Sequence, residues 1–121
     1  KFDNLAKGDI SGIICLTGSA AGSLALSFSE GAILKIVSNM LGEDLKSING
    51  DVKDAVGELT NMVSGVARKN LEAQGFYIQA AIPTIVSGKN HSIAHVKGGP
   101  SLIIPFEIDE GVFVVDVCLA E

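Results

Sequence analysis

The sequence predicts an α+β fold, with a largely antiparallel β-sheet and two main helices packed on one side of it. The predicted elements follow in the order β-β-α-α-β-β-β-β, without the β-α-β alternation that builds parallel sheets. Two segments repeat apolar residues at helical spacing, whereas the other apolar runs are short and bounded by turn residues. A chain of 121 residues fits one domain, so we expect residues 1–121 to form a single unit.

A β-hairpin is predicted near the N-terminal end. Residues 8–18 have the composition of a strand, and residues 24–28 alternate apolar and small polar side chains as a half-buried strand does. The small residues at 19–23 are expected to form the turn between the two strands.

A first helix is predicted over residues 30–41. Ser29 is a good N-cap because its hydroxyl can accept a hydrogen bond from the first turn, and Gly42 is typical of the position after a helix. The apolar residues that share one face are expected to pack on the sheet: Ala32, Ile33, Ile36, Val37, Met40 and Leu41.

A longer second helix is predicted from Asp51 to about Gln74, with Gly75 ending it. One side, expected to face the core, carries Ala55, Leu59, Met62, Val63 and Val66. The opposite side is a stripe roughly 60° wide, here called the polar stripe: Asp54, Glu58, Asn61 and Gly65. The sequence therefore predicts a carboxylate and an amide one turn apart on the exposed side of a stiff helix.

Gly57 and Gly65 are unusual inside this helix, because each lowers helix stability by up to about 1 kcal/mol relative to alanine. Two explanations remain open from the sequence. Either a neighbouring helix of the same chain packs closely against the glycines, or a partner protein approaches there.

The rest of the chain predicts strands. In order, these are strand 76–82, its continuation 84–87, a turn at 88–90, a strand at 91–96, a loop at 97–100, and strands 101–108 and 112–119 joined by a turn. Pro83 and Pro105 cannot donate a backbone hydrogen bond, so we expect them at sheet edges or bulges. Residues 23–28 resemble residues 101–106, which is compatible with a pseudo-symmetric pair of half-domains.

Charge and hydropathy argue against several classes of protein. The net charge is −5 and the longest basic stretch is Arg68-Lys69, which argues against a nucleic-acid partner and against an anionic membrane surface. No apolar run approaches the roughly 18 residues of a membrane helix, and Lys1 opens a polar segment rather than a signal peptide. We therefore expect a cytoplasmic protein that binds neither nucleic acid nor membrane.

The cysteines and histidines give weak signals. Cys15 and Cys118 lie far apart inside apolar runs, so we expect two buried, reduced thiols, with a disulfide between neighbouring strands as the alternative. His91 and His95 are four residues apart in a strand-like segment, where a solvent-exposed or structural role is favoured over a metal site.

Glu58 and Asn61 are the candidate functional residues, because the sequence has no nucleophile elbow, phosphate-binding loop or HExxH motif. An Asn amide can orient a water molecule, and a Glu carboxylate can bind a cationic group. Beside Mg²⁺ and a phosphoryl group in another protein's active site, they would accelerate hydrolysis by positioning. The alternative is a solvated polar face without a function.

The segment around the polar stripe resembles the signature of the CheC/CheX/FliY phosphatases. It reads Asp-Ala-Val-Gly-Glu-Leu-Thr-Asn at residues 54–61, and Pro83 follows after twenty-one intervening residues. Four further stretches are similar to the CheX-like branch, so that the resemblance spans about residues 8–119: residues 8–14, 21–28, 40–43 and 83–89. A single Glu-x-x-Asn copy also resembles that branch, since CheC-like members often carry two.

The resemblance implies an enzyme that hydrolyses the aspartyl phosphate of the chemotaxis response regulator CheY or a similar receiver domain. Glu58 would pair with the receiver's active-site Lys, and Asn61 would hold the attacking water. The receiver would supply the phosphoaspartate and the Mg²⁺, so this chain is expected to bind no cofactor and no metal of its own. Asp54 would support the helix N-terminus or dock the partner, and Gly57 and Gly65 would allow its close approach.

The resemblance also implies a homodimer, because CheX-like proteins associate through extended sheets. Family members usually carry a helix before the first strand, and this chain starts at Lys1 rather than Met, so we expect that an N-terminal element is missing. A different hypothesis is a non-catalytic receiver-binding or docking module, like the middle domain of flagellar switch proteins. A third, a small-ligand sensor on the sheet surface, has no convergent polar cluster in its favour.

Overall fold

The computed structural model describes residues 6–93 and 101–120, and their elements follow the predicted order. The elements are β1 (Ala6–Gly18), β2 (Ala21–Phe28), α1 (Glu30–Leu41), α2 (Gly50–Glu72), β3 (Ile78–Ala80), β4 (Thr84–Ile93), β5 (Ser101–Ile108) and β6 (Gly111–Ala120). The predicted loop at 97–100 and the second half of the strand predicted at 91–96 lie outside the described residues.

The described strands form one sheet in which every pair is antiparallel. β1 pairs with β2 along one edge and with both β3 and β4 along the other, and β6 lies between β2 and β5. Side chains from α1 and α2 share one core with the alternate residues of β1 and β2 that point to the same face of the sheet. The predicted α+β class, with both helices on one side, is confirmed.

Both helices have polar caps at their N-termini. The Ser29 hydroxyl accepts the Ala32 amide of α1 at 3.3 Å, and Gly42 ends α1 with a φ of 69°, as predicted. α2 begins at Gly50, one residue before the predicted start, because the Asn49 side chain accepts the Val52 amide at 3.0 Å. No helix in the described part of the chain is both long and apolar enough to cross a membrane.

The packing of α1 differs from prediction in its last turn. Ala32, Ile33 and Val37 are fully buried under the helix, as expected. Met40 and Leu41 were predicted to pack on the sheet, but they are 49% and 44% exposed. α1 therefore contacts the core through its first turns, and its last turn leaves two apolar side chains in solvent.

The turn predicted at residues 88–90 is wrong, because β4 continues through it as a bulged strand. Gly8 lies opposite His91 and Ile10 lies opposite Ser87, so β4 advances four residues while β1 advances two. Asn90 adopts a φ of 50° within the bulge. Turn-forming residues thus bend a strand here instead of ending it.

Both predictions for proline are confirmed. Pro105 lies in β5, an edge strand of the described sheet, and Pro83 lies in the gap between β3 and β4. β3 is shorter than the strand predicted at 76–82, and β3 and β4 follow each other along the same edge of β1.

The two similar hexapeptides, 23–28 and 101–106, flank β6 at the same register. Their serines both lie opposite Cys118, and their phenylalanines both lie opposite Phe113. The Phe28 and Phe106 rings stack on Phe113 with centroid distances of 5.5 and 4.9 Å. The sequence similarity therefore corresponds to two strands in equivalent positions beside a shared neighbour.

The two cysteines differ in burial. Cys118 is buried, but Cys15 is exposed, so the prediction of two buried thiols is wrong for Cys15. Cys15 points away from the helices because it alternates with Ile14 and Leu16, which are buried. Neither cysteine forms a disulfide, and β2 separates their strands by about 10 Å, which is beyond the reach of one.

Candidate functional site

α2 lies on β1 through a close contact at Gly12. A Cβ atom at Gly12 would overlap the Thr60 hydroxyl and would lie 3.2 Å from Val56 Cγ1. Thr60 is fully buried, and its hydroxyl donates to the Val56 carbonyl at 2.7 Å, so its polar atom is satisfied within the helix. The missing side chain of Gly12 therefore lets the helix approach the sheet and sets which side of the helix is buried.

The buried side of α2 is turned relative to the predicted one. It consists of Val52, Ala55, Val56, Thr60 and Ser64. Met62 and Val66, which were predicted to face the core, are 60% and 64% exposed. At 100° per residue, the two sides differ in direction by roughly 70°. Ala55 is buried and Leu59 and Val63 pack against the core as predicted, so the prediction is wrong for Met62 and Val66. It counted apolar residues, whereas the contact at Gly12 favours small side chains.

The polar stripe points away from the sheet. Asp54, Glu58 and Asn61 are exposed and Gly65 is half-buried, so the structure brings the four predicted residues to one solvent-facing side of α2. Glu58 and Asn61 are three residues apart, which places their Cβ atoms about 5–6 Å from each other. Neither side chain is engaged by another residue that the structure describes.

Gly57 and Gly65 have no neighbouring helix packed against them in the described chain. A Cβ atom at Gly65 would meet nothing within 4 Å, and one at Gly57 would meet only Ile85 Cδ1 at 3.8 Å. Among the described residues, no helix of the same chain packs closely enough to explain these glycines.

Met62 and Val66 form an apolar flank beside the polar stripe, which the sequence reasoning missed. Exposed large apolar side chains beside polar ones are typical of protein interfaces. The signal that could have revealed them is Gly12, because a glycine inside an apolar strand marks a close approach of another element.

Asp54 lies too far along α2 to cap it. The helix begins at Gly50 and its N-cap is Asn49. The favourable effect of an acid on a helix N-terminus falls off within the first turn, so support from Asp54 is small. Partner docking is the role that remains predicted for Asp54.

Asp9 joins three elements near the start of both helices. Its carboxylate accepts the Asn90 amide from the bulge of β4 and the Glu30 amide from the start of α1, both at 2.8 Å. These two hydrogen bonds, of which the one from Asn90 has the larger effect, lower the pKa of the Asp9 carboxyl below its ordinary value of 3.8.

The His91 side chain is held by hydrogen bonds within the fold. Its Nδ1–H donates to the Gly88 carbonyl at 2.7 Å, so the network assigns Nε2 as the acceptor of the Ser11 hydroxyl at 2.6 Å. His95 lies outside the described residues. Within residues 6–93 and 101–120, no group of three or more His, Cys, Asp or Glu side chains could hold a metal ion.

Solved structures identify the class of protein that has this fold. A CheC-like superfamily protein from Shewanella sp. PV-4 superposes with a TM-score of 0.93 at 47% identity, covering 100% of this chain and 79% of that chain. The CheX-CheY-BeF3-Mg²⁺ complex from Borrelia burgdorferi matches with a TM-score of 0.83 at 25% identity, covering 99% of this chain and 86% of that chain. The fold is that of the CheC-like superfamily.

Sequence comparisons narrow the class further. The family model described as chemotaxis phosphatase CheX matches residues 10–107. The CheY-P phosphatase CheX of Thermotoga maritima is 38% identical over 82 residues, which are 67% of this chain. The aligned part spans 53% of the length of that relative. The chain belongs to the CheX family, as the segment around the polar stripe predicted.

Proposed function

We propose that this chain accelerates hydrolysis of the aspartyl phosphate on a CheY-like receiver domain, by inserting Glu58 and Asn61 into the receiver's active site. The observation that carries the proposal is the exposed polar stripe on a long, well-packed helix. The similarity to the CheY-P phosphatase CheX of Thermotoga maritima and to the CheX-CheY complex from Borrelia burgdorferi supports a receiver as the partner. The proposed reaction needs no nucleophile from this chain, because water is the attacking group.

Asn61 is the proposed catalytic residue. Its carboxamide can accept a hydrogen bond from the attacking water and donate one to a phosphoryl oxygen, which fixes the direction of attack. The water oxygen forms a new bond to phosphorus, and the bond between phosphorus and the aspartyl oxygen breaks. Inorganic phosphate leaves, and the receiver's aspartate is restored as a carboxylate.

Glu58 is the proposed partner of the receiver's active-site Lys. A carboxylate and an ammonium group form a charge-assisted hydrogen bond, which is stronger than a neutral one when water is excluded. Because Glu58 and Asn61 occupy one face of a helix, the ion pair would place the amide beside the phosphate. Asp54 and Gly65 extend the same docking side, and Gly57 leaves space next to it.

The rigidity of α2 supports this role. The helix is capped by Asn49 and fixed on β1 through Gly12 and Thr60. Two side chains on such a rod keep their mutual distance when the partner docks. Holding groups in a reactive geometry is the main way in which phosphoryl transfer is accelerated, so a stiff helix suits the proposed chemistry.

In this proposal, Mg²⁺ belongs to the receiver. Mg²⁺ prefers an octahedral set of oxygen ligands, whereas the exposed stripe offers it only two carboxylates and one amide spread over two turns. The polar stripe therefore does not fit a resident magnesium site. Bound in the receiver, the ion would neutralise charge on the phosphoryl oxygens.

We further propose that the chain forms a homodimer and acts in the cytoplasm with its receiver. The outer edge of β5 is unpaired in the described sheet, and Leu102, Ile104 and Phe106 on it are 63%, 38% and 44% exposed. A second β5 at this edge would continue the sheet and place its own apolar side chains beside this row. Sedimentation equilibrium should give twice the monomer mass for the wild type and a monomer for Ile104→Glu. A monomeric wild type would contradict the dimer.

The test of the activity is dephosphorylation of a Mg²⁺-loaded, phosphorylated CheY-type receiver by the wild-type chain and by Asn61→Ala. Since Asn61 is exposed, alanine should preserve the fold and raise helix stability by up to about 0.7 kcal/mol. We expect the maximal rate to fall by about 10²–10³-fold while receiver binding persists. Asn70→Ala is the matched control, because it makes the same change at an exposed position of the same helix outside the stripe.

Glu58→Ala should weaken both receiver binding and turnover. Unchanged activity in Asn61→Ala would contradict the water-positioning role. Clear binding without acceleration by the wild-type chain would favour a non-catalytic docking module, as in the flagellar-switch hypothesis.

A further inference from the structure

A cavity of about 430 Å³ lies where the C-terminal half of α2 passes the ends of β1 and β3. From α2 it is lined by Gly65, Arg68, Lys69 and Glu72, and from the strand ends by Gly18, Tyr77, Ile78 and Gln79. We call this cavity the Arg68 pocket. Gly65 belongs both to its wall and to the polar stripe, so the two features are continuous on the surface of α2.

Arg68 is oriented by the fold. Its Nε donates to the hydroxyl of Ser64, a residue that is 1% exposed, at 3.3 Å. It forms no ion pair with any residue in the described ranges. The terminal nitrogens of a guanidinium held in this way remain available to bind a carboxylate through two parallel hydrogen bonds.

The opposite wall of the pocket is also fixed. The Ser19 amide donates to the Tyr77 carbonyl at 3.0 Å, and the Tyr77 amide donates to the Ser19 hydroxyl at 2.9 Å. These bonds tie the segment before β3 to the end of β1. The Tyr77 side chain is 63% exposed, which leaves it beside the pocket mouth rather than in the core.

The charge of the pocket is opposite to that of the chain. Arg68, Lys69 and Glu72 give the pocket a formal charge of +1, whereas the whole chain has −5. Arg68 is also the single arginine in the sequence. A positive pocket on an acidic protein attracts a negative group locally and disfavours other approaches, which gives orientation to a complex.

The distance along α2 places this pocket within the proposed complex. At 1.5 Å per residue, Arg68 lies about 10 Å along the helix axis from Asn61. A specific interface covers about 800 Å² per partner, a patch roughly 30 Å across. A receiver centred on Glu58 and Asn61 would therefore cover the pocket mouth as well, and the exposed Met62 and Val66 would lie within the same contact.

We propose that the Arg68 pocket binds a carboxylate side chain on the surface of the receiver and so fixes the receiver's orientation on α2. The inference rests on the proposed function, because the occupant is the same receiver. Arg68 is too far from Asn61 to touch the reacting atoms. Its contribution is equal in the ground state and the transition state, so its loss raises KM and leaves kcat unchanged.

The experiment measures binding and turnover for Arg68→Gln. Calorimetry with a receiver loaded with Mg²⁺ and beryllofluoride gives Kd, and dephosphorylation of the phosphorylated receiver gives kcat and KM. We expect Kd and KM to rise about 10-fold with kcat within about twofold of the wild type. Lys35→Gln is the matched control, because it removes one positive charge from an exposed position on α1.

Arg68→Lys keeps the charge and the aliphatic stem but not the planar fork. An intermediate Kd is expected for it, and it carries the test if Arg68→Gln does not fold. If both variants keep wild-type activity and an unchanged Kd, the proposed role of the Arg68 pocket is refuted while the proposed function stands. The same holds if Lys35→Gln raises Kd as much as Arg68→Gln does. A fall in kcat without a change in Kd would overturn the orienting role. A wild-type chain that neither binds nor dephosphorylates the receiver would refute the proposed function and the pocket together.

Discussion

Gly12→Ala tests the contact that orients α2. The added methyl group would lie 3.1 Å from Thr60 Cβ and 3.2 Å from Val56 Cγ1, whereas carbon atoms prefer about 3.5–4.0 Å. Overpacking of this kind costs about 1–3 kcal/mol, and replacing a strand glycine returns roughly 0.5–1 kcal/mol. The difference spans about 0–2.5 kcal/mol, and we expect a net loss of unfolding free energy of about 1–2 kcal/mol because the methyl group would also overlap the Thr60 hydroxyl. For 121 residues, the entropy of unfolding converts this into a fall in Tm of about 4–8 °C.

Urea and thermal unfolding would measure this loss, and Gly88→Ala is its control. Gly88 also lies in a strand, but a Cβ atom there would meet nothing within 4 Å, so its substitution should be neutral or slightly stabilising. Thr60→Ala should make room for the methyl group at position 12. The double variant is therefore expected to lose about 1 kcal/mol less than the sum of the single variants.

Two results would refute the reasoning about Gly12. One is strict additivity of Gly12→Ala and Thr60→Ala, which would show that the two positions do not contact each other. The other is an equal effect of Gly12→Ala and Gly88→Ala. Either result would remove the physical reason given for the burial of Thr60 and for the direction of the polar stripe.

Three further predictions concern stability. Gly65→Ala should raise the unfolding free energy by up to about 1 kcal/mol, because its Cβ atom would meet open space, and a loss of stability in urea unfolding would contradict this. The same variant should weaken receiver binding because the added methyl group obstructs the partner's approach, and an unchanged Kd in calorimetry would contradict that. Gly42→Ala should cost about 1–2 kcal/mol because the residue has a φ of 69°, and an unchanged Tm would contradict that. Because the pKa of Asp9 is lowered in the fold, its carboxylate stabilises the protein above pH 3.8, and this contribution disappears as the pH falls through the folded-state pKa. Urea unfolding between pH 6 and pH 2 should therefore show a steeper fall in unfolding free energy for the wild type than for Asp9→Asn. Parallel profiles would refute the link to the Asn90 and Glu30 amides.

The sequence was sufficient to predict the order of the elements, because most of their boundaries, those of the two helices above all, have a local chemical signal. Ser29 and Gly42 bound α1 through side-chain capping and backbone conformation, which depend on neighbouring residues alone. The polar stripe was predicted for a similar reason, since helical periodicity alone places its four residues on one side. That residues 1–121 form one domain stays a prediction, as do the roles of Glu58 and Asn61.

Features that depend on contacts between distant segments could not be predicted in this way. Residues 88–90 have turn chemistry, but pairing with β1 and the hydrogen bond from Asn90 to Asp9 keep them in a strand. Met62 and Val66 are apolar, yet the position of Gly12 turns them outward. The Arg68 pocket unites residues from α2, β1 and β3, and no single stretch of sequence contains it.

The position of β6 has a consequence for synthesis on the ribosome. Of the eight elements that the structure describes, β6 is made after the other seven, yet it is the strand that joins β2 to β5. Residues 29–110 must be added between the two partners, which takes about 4–16 s at roughly 5–20 residues per second. During that interval β2 presents a bare edge to other nascent chains, while α2 can already dock on β1. The helix that carries the polar stripe can therefore find its place before the sheet that supports it is complete.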